Sequence, residues 1–255
     1  MSAVERERRG KVEILTINRP EARNAINGDV TAAMAAALDE LAEDDDCWVV
    51  VLTGSGDKSF SAGMDLKAFA SGQGAGIIDQ HGFASITRRW FPKPIVAAVN
   101  GACLAGGCEI MLSCDLVVAA GHATFGIPEA KRGLIAGAGG LIRLPRRIPR
   151  AVALELALTG EAIDASRAMQ VGLVNKVVPA EQLMDEALAL AEQIAANAPL
   201  AVRASKRVML KSADLAEEEA WKLNDGTFSE IFTSADAMEG AVAFAEKRPP
   251  NWQGK

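Results

Sequence analysis

The chain has 255 residues, of which 49% are apolar, and a formal net charge of −6. This length fits one large domain or a core with a smaller appendage, and the composition supports a sizeable buried core rather than disorder. The negative charge argues against a general nucleic-acid binder, because such proteins need a basic surface that attracts phosphate.

The N-terminus, MSAVERERRGK, is charged from its fifth residue and lacks the apolar segment of a secretory signal. The long apolar run around Gly101 is interrupted by Asn100, Glu109 and Asp115, so it is interpreted as buried core and not as a membrane span. The four cysteines and two histidines do not follow metal-ligand spacings. We therefore expect a cytoplasmic protein with reduced core thiols, no metal site and no membrane contact.

Strand and helix patterns alternate over the first part of the chain. KVEILTINRP is predicted to be a strand, GDVTAAMAAALDELAEDD a helix and CWVVVLTGSG a buried strand. KSFSAGMDLKAF is predicted to be a loop leading into a helix, PIVAAVNG a buried strand, and CLAGGCEIMLSCD a loop and a helix that begins near Gly106. LVVAA, ATFG and NKVVP are predicted to be short strands.

The pattern changes after Pro179, where four helical segments follow with no strand among them. The prediction is an α/β core over residues 1–190 and a helical C-terminal region over residues 191–255.

Glu109 is the first candidate for chemistry, because it stands in a run from Pro94 to Ala120 whose only other carboxylate is Asp115. Burying even a neutral polar group without a hydrogen bond costs about 2–7 kcal/mol. A buried carboxylate at this place therefore indicates a specific role or specific partners.

Two segments, VVVLTG…SAGMDL and VAAVNG…AGGCEI, share one pattern, in which a buried strand ends, small residues turn the chain and a helix begins. Helix starts present unpaired N–H groups and the positive end of the helix dipole. If the turns face each other, the N–H groups of Met64 and Gly106 converge on one oxygen and form an oxyanion hole. Ordinary strand-to-helix turns of an α/β protein remain the alternative.

A second acid, Glu129, follows a short strand and a proline in TFGIPEAKRG. Glu109 lies three residues after Gly106, which places its side chain near the same oxygen site. Two carboxylates beside an oxyanion hole can move protons to and from a carbon next to a carbonyl. Taken singly, each glutamate also fits a surface or capping role.

A family resemblance joins these pieces. The matching segments follow one another almost end to end along the chain. They are INRPEARNAI, FSAGMDLKAF, KPIVAAVNGACLAGGCEIMLSCDLVVAA, ATFGIPEAKRGL, GAGGLIRLPRRI, LTGEAIDASRAMQVGLVNKVVP and EGAVAFAEKRPPNW. In this order and spacing the sequence resembles the crotonase (enoyl-CoA hydratase/isomerase) superfamily, and most closely an enoyl-CoA hydratase. The resemblance implies an α/β fold, a crotonase-like spiral of ββα units with C-terminal helices that form a trimer, or a dimer of trimers.

The resemblance also implies roles for individual residues. Met64 and Gly106 match the positions whose N–H groups hold the acyl-CoA thioester oxygen, and Glu109 and Glu129 match both acids of true hydratases. The implied contacts to coenzyme A (CoA) fall on Ala22, Ala62, Asp65, Leu66 and Lys67, with Lys247 reaching a neighbouring subunit's CoA phosphate. CoA is part of the substrate, so no separate cofactor is expected.

The expected reaction is hydration of the 2,3 double bond of a trans-2-enoyl-CoA, in fatty acid or related acyl-CoA metabolism. The alternatives are an enoyl-CoA isomerase, another acyl-CoA dehydratase or racemase of this superfamily, and a non-catalytic CoA- or RNA-binding scaffold. A dinucleotide-binding oxidoreductase is excluded, because GAGG after Ile135 does not complete a G-x-G-x-x-G motif.

Overall fold

Short strands, nearly all of them in the first two thirds of the chain, form the sheets of the fold. The computed structural model describes residues 2–72 and 74–255. The strands, in chain order, are β1 (Val4–Arg9), β2 (Val12–Ile17), β3 (Val49–Gly54), β4 (Ser59–Ser61), β5 (Ile78–Asp79), β6 (Gly82–Phe83), β7 (Ile95–Val99), β8 (Ala102–Leu104), β9 (Leu116–Ala120), β10 (Thr124–Gly126), β11 (Ile163–Asp164) and β12 (Lys176–Val178).

Helices connect these strands and then form the C-terminal part of the chain. They are α1 (Gly28–Glu43), α2 (Leu66–Ala70), α3 (Gly106–Met111), α4 (Gly140–Arg147), α5 (Arg150–Thr159), α6 (Ala165–Gln170), α7 (Leu183–Ala195), α8 (Pro199–Ser212), α9 (Glu217–Phe232) and α10 (Ala235–Glu246). Short 3₁₀ turns cover Pro20–Ala22, Pro128–Arg132 and Ala180–Gln182. None of these helices is both long and apolar enough to cross a bilayer.

The larger sheet has six strands in the order β1-β2-β3-β7-β9-β12. Its β1–β2 pair is antiparallel and the other pairs are parallel. Strands β3 and β7 are buried along their whole length, since helices or the second sheet cover both faces, and this explains their unbroken apolar runs. One face packs on α1 and α3, and the other packs on α7.

The smaller sheet has the order β11-β10-β8-β4. In it β8 pairs in parallel with both β4 and β10. Helices α2 and α3 follow soon after β4 and β8, so the starts of both helices lie near one edge of this sheet. This sheet therefore brings together the two turns that the sequence singled out.

The α/β core followed by helices is confirmed, and most predicted elements have the expected type. The sequence reasoning missed β1, whose VERERR pattern leaves five of its six residues exposed at the sheet edge. It also missed the three residues of β4, and the helices α4, α5 and α6 between residues 140 and 170. The division between residues 1–190 and 191–255 stays a prediction; it falls within α7, whose Leu188 and Ala191 are buried against the larger sheet.

The four cysteines are buried free thiols, as the sequence predicted. Burial raises the pKa of Cys47, Cys103 and Cys114. Thiols with a raised pKa hold little thiolate at neutral pH and behave as small apolar side chains.

Candidate active site

The turns that follow β4 and β8 pack backbone against backbone. Gly63 has φ of +88°, and a Cβ atom added to it would lie 2.8 Å from the Gly106 nitrogen. A Cβ atom added to Gly107 would lie 2.1 Å from the Ser61 carbonyl oxygen. Glycine is needed at both positions, because only it permits this approach and, at Gly63, this backbone conformation. The two turns are thus held within a few ångströms of each other.

Met64 and Gly106 each present a backbone N–H group at this contact. Ile26 N donates to Gly63 O (2.8 Å) and Asp65 N donates to Ile26 O (2.9 Å). These two bonds flank Met64 and do not use its N–H group. Gly106 is the first residue of α3, where N–H groups have no partner within the helix. In residues 2–72 and 74–255 neither N–H donates to a protein acceptor. Both donors are therefore available to a substrate oxygen.

An aromatic ring lies against the Gly106 donor. A Cβ atom on Gly106 would meet the Phe83 ring at 2.5 Å, so the ring lies directly on the glycine backbone. The next residues, Ala84 and Ser85, are buried and have φ of 52° and 55°. Two consecutive non-glycine residues in the left-handed region are strained, and such strain persists only where the surrounding structure enforces it. The backbone that follows Phe83 is therefore held in this conformation by its surroundings.

Glu109 lies on the first turn of α3 and is 3% exposed. Its Oε1 accepts a hydrogen bond of 2.8 Å from Gly140 N, at the start of α4. The pKa of Glu109 is raised to about 7; burial is the largest cause and the nearby charge of Glu129 adds to it, while the backbone N–H groups of Gly140 and Ala138 and the charge of Arg143 oppose the rise. A carboxyl group with a pKa near neutrality is suited to accept and return a proton.

Glu129 lies in the 3₁₀ turn that Pro128 begins. Its side chain is half-buried, and within the described part of the chain its Oε2 is buried without a hydrogen-bond partner. Burial raises the pKa of Glu129, and the charge of Arg132 acts in the opposite direction. Because the two carboxyl groups also repel each other when both are ionised, the pair favours holding one proton.

The residues expected to contact CoA, apart from Asp65 and Lys247, gather on one side of this site. Ala62 N donates to Arg23 O (3.1 Å), which joins the strand-end turn to the 3₁₀ turn that contains Ala22. Leu66 and Lys67 are exposed at the start of α2. The structure thus brings Ala22, Ala62, Leu66 and Lys67 to the same edge as Met64.

Asp65 and Lys247 differ from the other residues that were expected to contact CoA. The Asp65 carboxylate caps α2 by accepting from Ala68 N (3.0 Å), and its second oxygen accepts from Arg19 Nη2 (3.0 Å). Any CoA contact at Asp65 therefore competes with these bonds unless it uses the backbone. Lys247 is exposed at the end of α10, with φ of 55°. Its backbone N–H donates to Phe244 O (3.3 Å) within the C-terminal end of α10.

Four residues that shape the site escaped the sequence reasoning: Gly63, Phe83, Gly140 and Arg143. Gly63 and Gly140 belong to the glycine-containing segments SAGMDL and GAGG, so the signal was present in the sequence. A single sequence does not show that these glycines lie close to α3 in the folded protein. Phe83 lies in a segment without a regular pattern and gives no such signal.

With this geometry established, comparison with known proteins places the chain in a class. The sequence profile of the enoyl-CoA hydratase/isomerase family matches residues 7–255. The chain belongs to this family, and it is an enzyme of the hydro-lyase type with the crotonase fold that the sequence resemblance implied.

Individual relatives are similar to this protein along nearly the whole chain. The carnitinyl-CoA dehydratase of Proteus mirabilis is 40% identical, over 97% of this chain and 97% of that protein. The crystal structure of the enoyl-CoA hydratase EchA1 from Mycobacterium marinum is 49% identical and matches with a TM-score of 0.96 over 100% of both chains. The carnitinyl-CoA hydratase from Mycobacterium avium is 50% identical, with a TM-score of 0.80 over 100% of both chains.

Proposed function

We propose that this protein is a cytoplasmic enoyl-CoA hydratase that adds water across the 2,3 double bond of a trans-2-enoyl-CoA. One observation supports this most strongly. Two buried or half-buried carboxyl groups with raised pKa, Glu109 and Glu129, accompany two unpaired N–H donors, Met64 N and Gly106 N. Proton donors and acceptors beside an oxyanion hole are the groups that this addition needs.

In the proposed mechanism, the N–H groups of Met64 and Gly106 polarise the thioester carbonyl and stabilise the enolate that forms. Glu109 takes a proton from water as the water oxygen bonds to C3. Glu129 delivers its proton to C2, and a proton then passes from Glu109 back to Glu129 through solvent. Water is the only second reactant. CoA is the carrier part of the substrate, and the proposed reaction requires no separate cofactor.

The α3–α4 contact supports the assignment of Glu109 as the base. Its Oε1 is held by Gly140 N, so the second oxygen remains to orient a water molecule. Glu129 Oε2 lacks a partner among the described residues, which suits an acid that needs a free oxygen to carry the transferred proton.

The test is an ultraviolet assay for loss of the conjugated enoyl thioester, run with short to long acyl chains. Mass spectrometry of the product should show the gain of one water. The Glu129→Gln variant serves as a control, because it keeps the size of the side chain and removes the proton. Wild-type protein that hydrates no chain length would contradict the proposal.

A second candidate is dehydration of a hydroxyacyl-CoA with a cationic end, such as carnitinyl-CoA. The support is the 40% and 50% identity to the P. mirabilis and M. avium proteins. The same groups would catalyse it, because dehydration is the reverse of hydration. The positive charges of Arg132 and Arg143, which act on the two glutamates, favour a neutral acyl chain instead. Parallel assays with carnitinyl-CoA and 3-hydroxybutyryl-CoA separate the two substrates.

We also propose a homotrimer, or a dimer of trimers, in which Lys247 approaches a neighbour's CoA phosphate. Helix α9 carries Trp221, Phe228 and Phe232 with exposed fractions of 58%, 62% and 70%. The Phe228 and Phe232 rings stack at 5.3 Å. Apolar patches of this kind usually mark an interface, and a second copy of the chain would cover them.

A further inference from the structure

Arg143 lies one turn into α4, and its side chain folds back toward the start of that helix. A Cβ atom on Gly139, whose φ is +113°, would lie 2.3 Å from Arg143 Nη1. The guanidinium thus occupies the space that a side chain at Gly139 would fill. Gly140, the next residue, donates its N–H to Glu109. The guanidinium therefore lies beside the backbone group that orients this glutamate.

The other end of the guanidinium reaches the aromatic side of the site. Arg143 Nη2 donates to Thr87 O at 2.5 Å. Thr87 Oγ1 in turn accepts from Phe83 N at 2.9 Å, and the Phe83 ring lies against Gly106. Through two hydrogen bonds, Arg143 links the start of α4 to the segment that packs on the oxyanion donor.

The charge of Arg143 also acts on Glu109 directly. Burial lowers the pKa of Arg143, and the Glu109 carboxylate acts in the opposite direction. The groups that act on Glu109 are the charges of Glu129 and Arg143 and the N–H groups of Gly140 and Ala138. Among these charges, Arg143 alone favours the ionised form, the form in which Glu109 can accept a proton.

We propose that Arg143 is a positioning residue for the reaction, which clamps the start of α4 against the Thr87 segment and holds Glu109 ready to accept a proton from water. Loss of the Arg143 side chain removes the contact beside Gly140, and loss of its charge leaves only the N–H groups of Gly140 and Ala138 to offset the charge of Glu129. This proposal rests on the proposed function, because it takes Glu109 as the base of a hydration.

The experiment compares Arg143→Met, Arg143→Lys and the control Arg146→Met with wild type. Arg146 lies on the same helix but pairs with Asp214 on the surface. One readout is a carbon-13 NMR titration of glutamate-labelled protein, with the Glu109 signal assigned through Glu109→Gln. The second is kcat and KM for crotonyl-CoA as a function of pH. Circular dichroism checks that each variant is folded.

In Arg143→Met we expect Glu109 to titrate at a higher pH than in wild type. Removing an opposite charge shifts a carboxyl pKa by about one pH unit or more, so kcat below neutral pH should fall about tenfold. KM should change little. Arg143→Lys keeps the positive charge, so its Glu109 should titrate close to the wild-type pH. Its kcat should recover less, because lysine does not reproduce the guanidinium contacts of Arg143. Arg146→Met should match wild type in both measurements.

An unchanged Glu109 titration in folded Arg143→Met would overturn the proposal, as would an equal effect of Arg146→Met. If Arg143→Met does not fold, the test uses Arg143→Lys. A near wild-type Glu109 titration with a lowered kcat supports the proposal, and a wild-type kcat contradicts it. A wild-type protein that hydrates no enoyl-CoA would defeat the proposed function instead, and the NMR titration would still decide whether Arg143 controls Glu109.

Discussion

Glu109 Oε1 and Gly140 N are joined by a hydrogen bond of 2.8 Å across 31 positions of sequence. A Cβ atom on Gly140 would lie 3.1 Å from the same oxygen and 2.9 Å from the Ala136 side chain. The carboxylate is thus held by a backbone donor at a position where a side chain would crowd it. This explains how an acid is kept in an apolar run: the Gly140 N–H is a fixed hydrogen-bond partner for the carboxylate, and the raised pKa makes the neutral form accessible.

Replacing either glutamate with glutamine should stop proton transfer and leave the CoA site intact. General acid–base catalysis contributes about 10²–10⁴ in rate, so kcat of Glu109→Gln and of Glu129→Gln should each fall by at least that factor. KM for crotonyl-CoA should stay near the wild-type value. Near wild-type turnover of crotonyl-CoA and longer enoyl-CoAs by either variant would sink the two-glutamate mechanism.

The pKa of Glu109 also predicts a dependence of stability on pH. Its value is about 7 in the folded protein against an ordinary 4.5, so between these values the folded state binds a proton that the unfolded state has released. The contribution of Glu109 to stability is therefore complete below 4.5 and is lost as pH rises to 7.

Glu109→Gln should accordingly be more stable than wild type above pH 7, by about 1–3 kcal/mol, with the gap closing below pH 4.5. Urea unfolding at several pH values measures this. Glu181→Gln, at an exposed glutamate, is the control and should show no such gain. Equal stability of Glu109→Gln and wild type at pH 8 would speak against the raised pKa.

Gly63→Ala should damage catalysis through the backbone of the oxyanion hole. The new methyl group would lie 2.8 Å from Gly106 N and must push the two turns apart. Loss of one such donor typically costs about 10²–10³ in rate. Gly172→Ala is a matched control, because Gly172 also has positive φ (+81°) but open space around it. If both variants lose the same activity, backbone strain and not the Gly106 donor is responsible.

Met64→Ala should be mild, because the donor at this position is the backbone N–H and not the side chain. Gly106→Pro should abolish turnover, since proline has no N–H to donate. Steady-state kinetics on folded protein, checked by circular dichroism, compares them. Loss of turnover in folded Met64→Ala would show that the backbone assignment at that position is wrong.

The assembly is tested by light scattering at micromolar concentration. Phe232→Lys places a charge in the apolar face of α9, where the side chain is 70% exposed in the single chain, and should weaken association. Phe232→Leu keeps the face apolar and should associate like wild type. Full activity of a purely monomeric wild-type protein would contradict the trimer and the role of Lys247 at a neighbour's site.

The elements that the sequence predicted well are those with a periodic apolar pattern. Strands β3 and β7 are buried along their length, and α1 has a buried face that includes Val30 and Met34. Strand β1 was missed because nearly all of it is exposed and charged, so no alternation marks it. Its pairing with β2 comes from the backbone, which the pattern does not reveal.

The sequence singled out individual residues of the candidate site but not the contacts among them. Glu109 and Gly106 were singled out because a carboxylate and a strand-end glycine are unusual in an apolar run. The partners Gly140, Phe83 and Arg143 come from distant segments, and only folding brings them to α3. A single sequence carries no information on such distances.

The contact between Gly63 and Gly106 has a consequence for how this enzyme can diverge. Both donors of the proposed oxyanion hole are main-chain groups, and the two turns that carry them pack closely through glycines. On the proposed mechanism, point mutations that spare these glycines should leave both N–H donors in place, whatever side chain stands at position 64. New reactions would then arise by exchanging Glu109, Glu129 and the residues around the acyl chain, while the proposed capacity to stabilise an enolate is inherited.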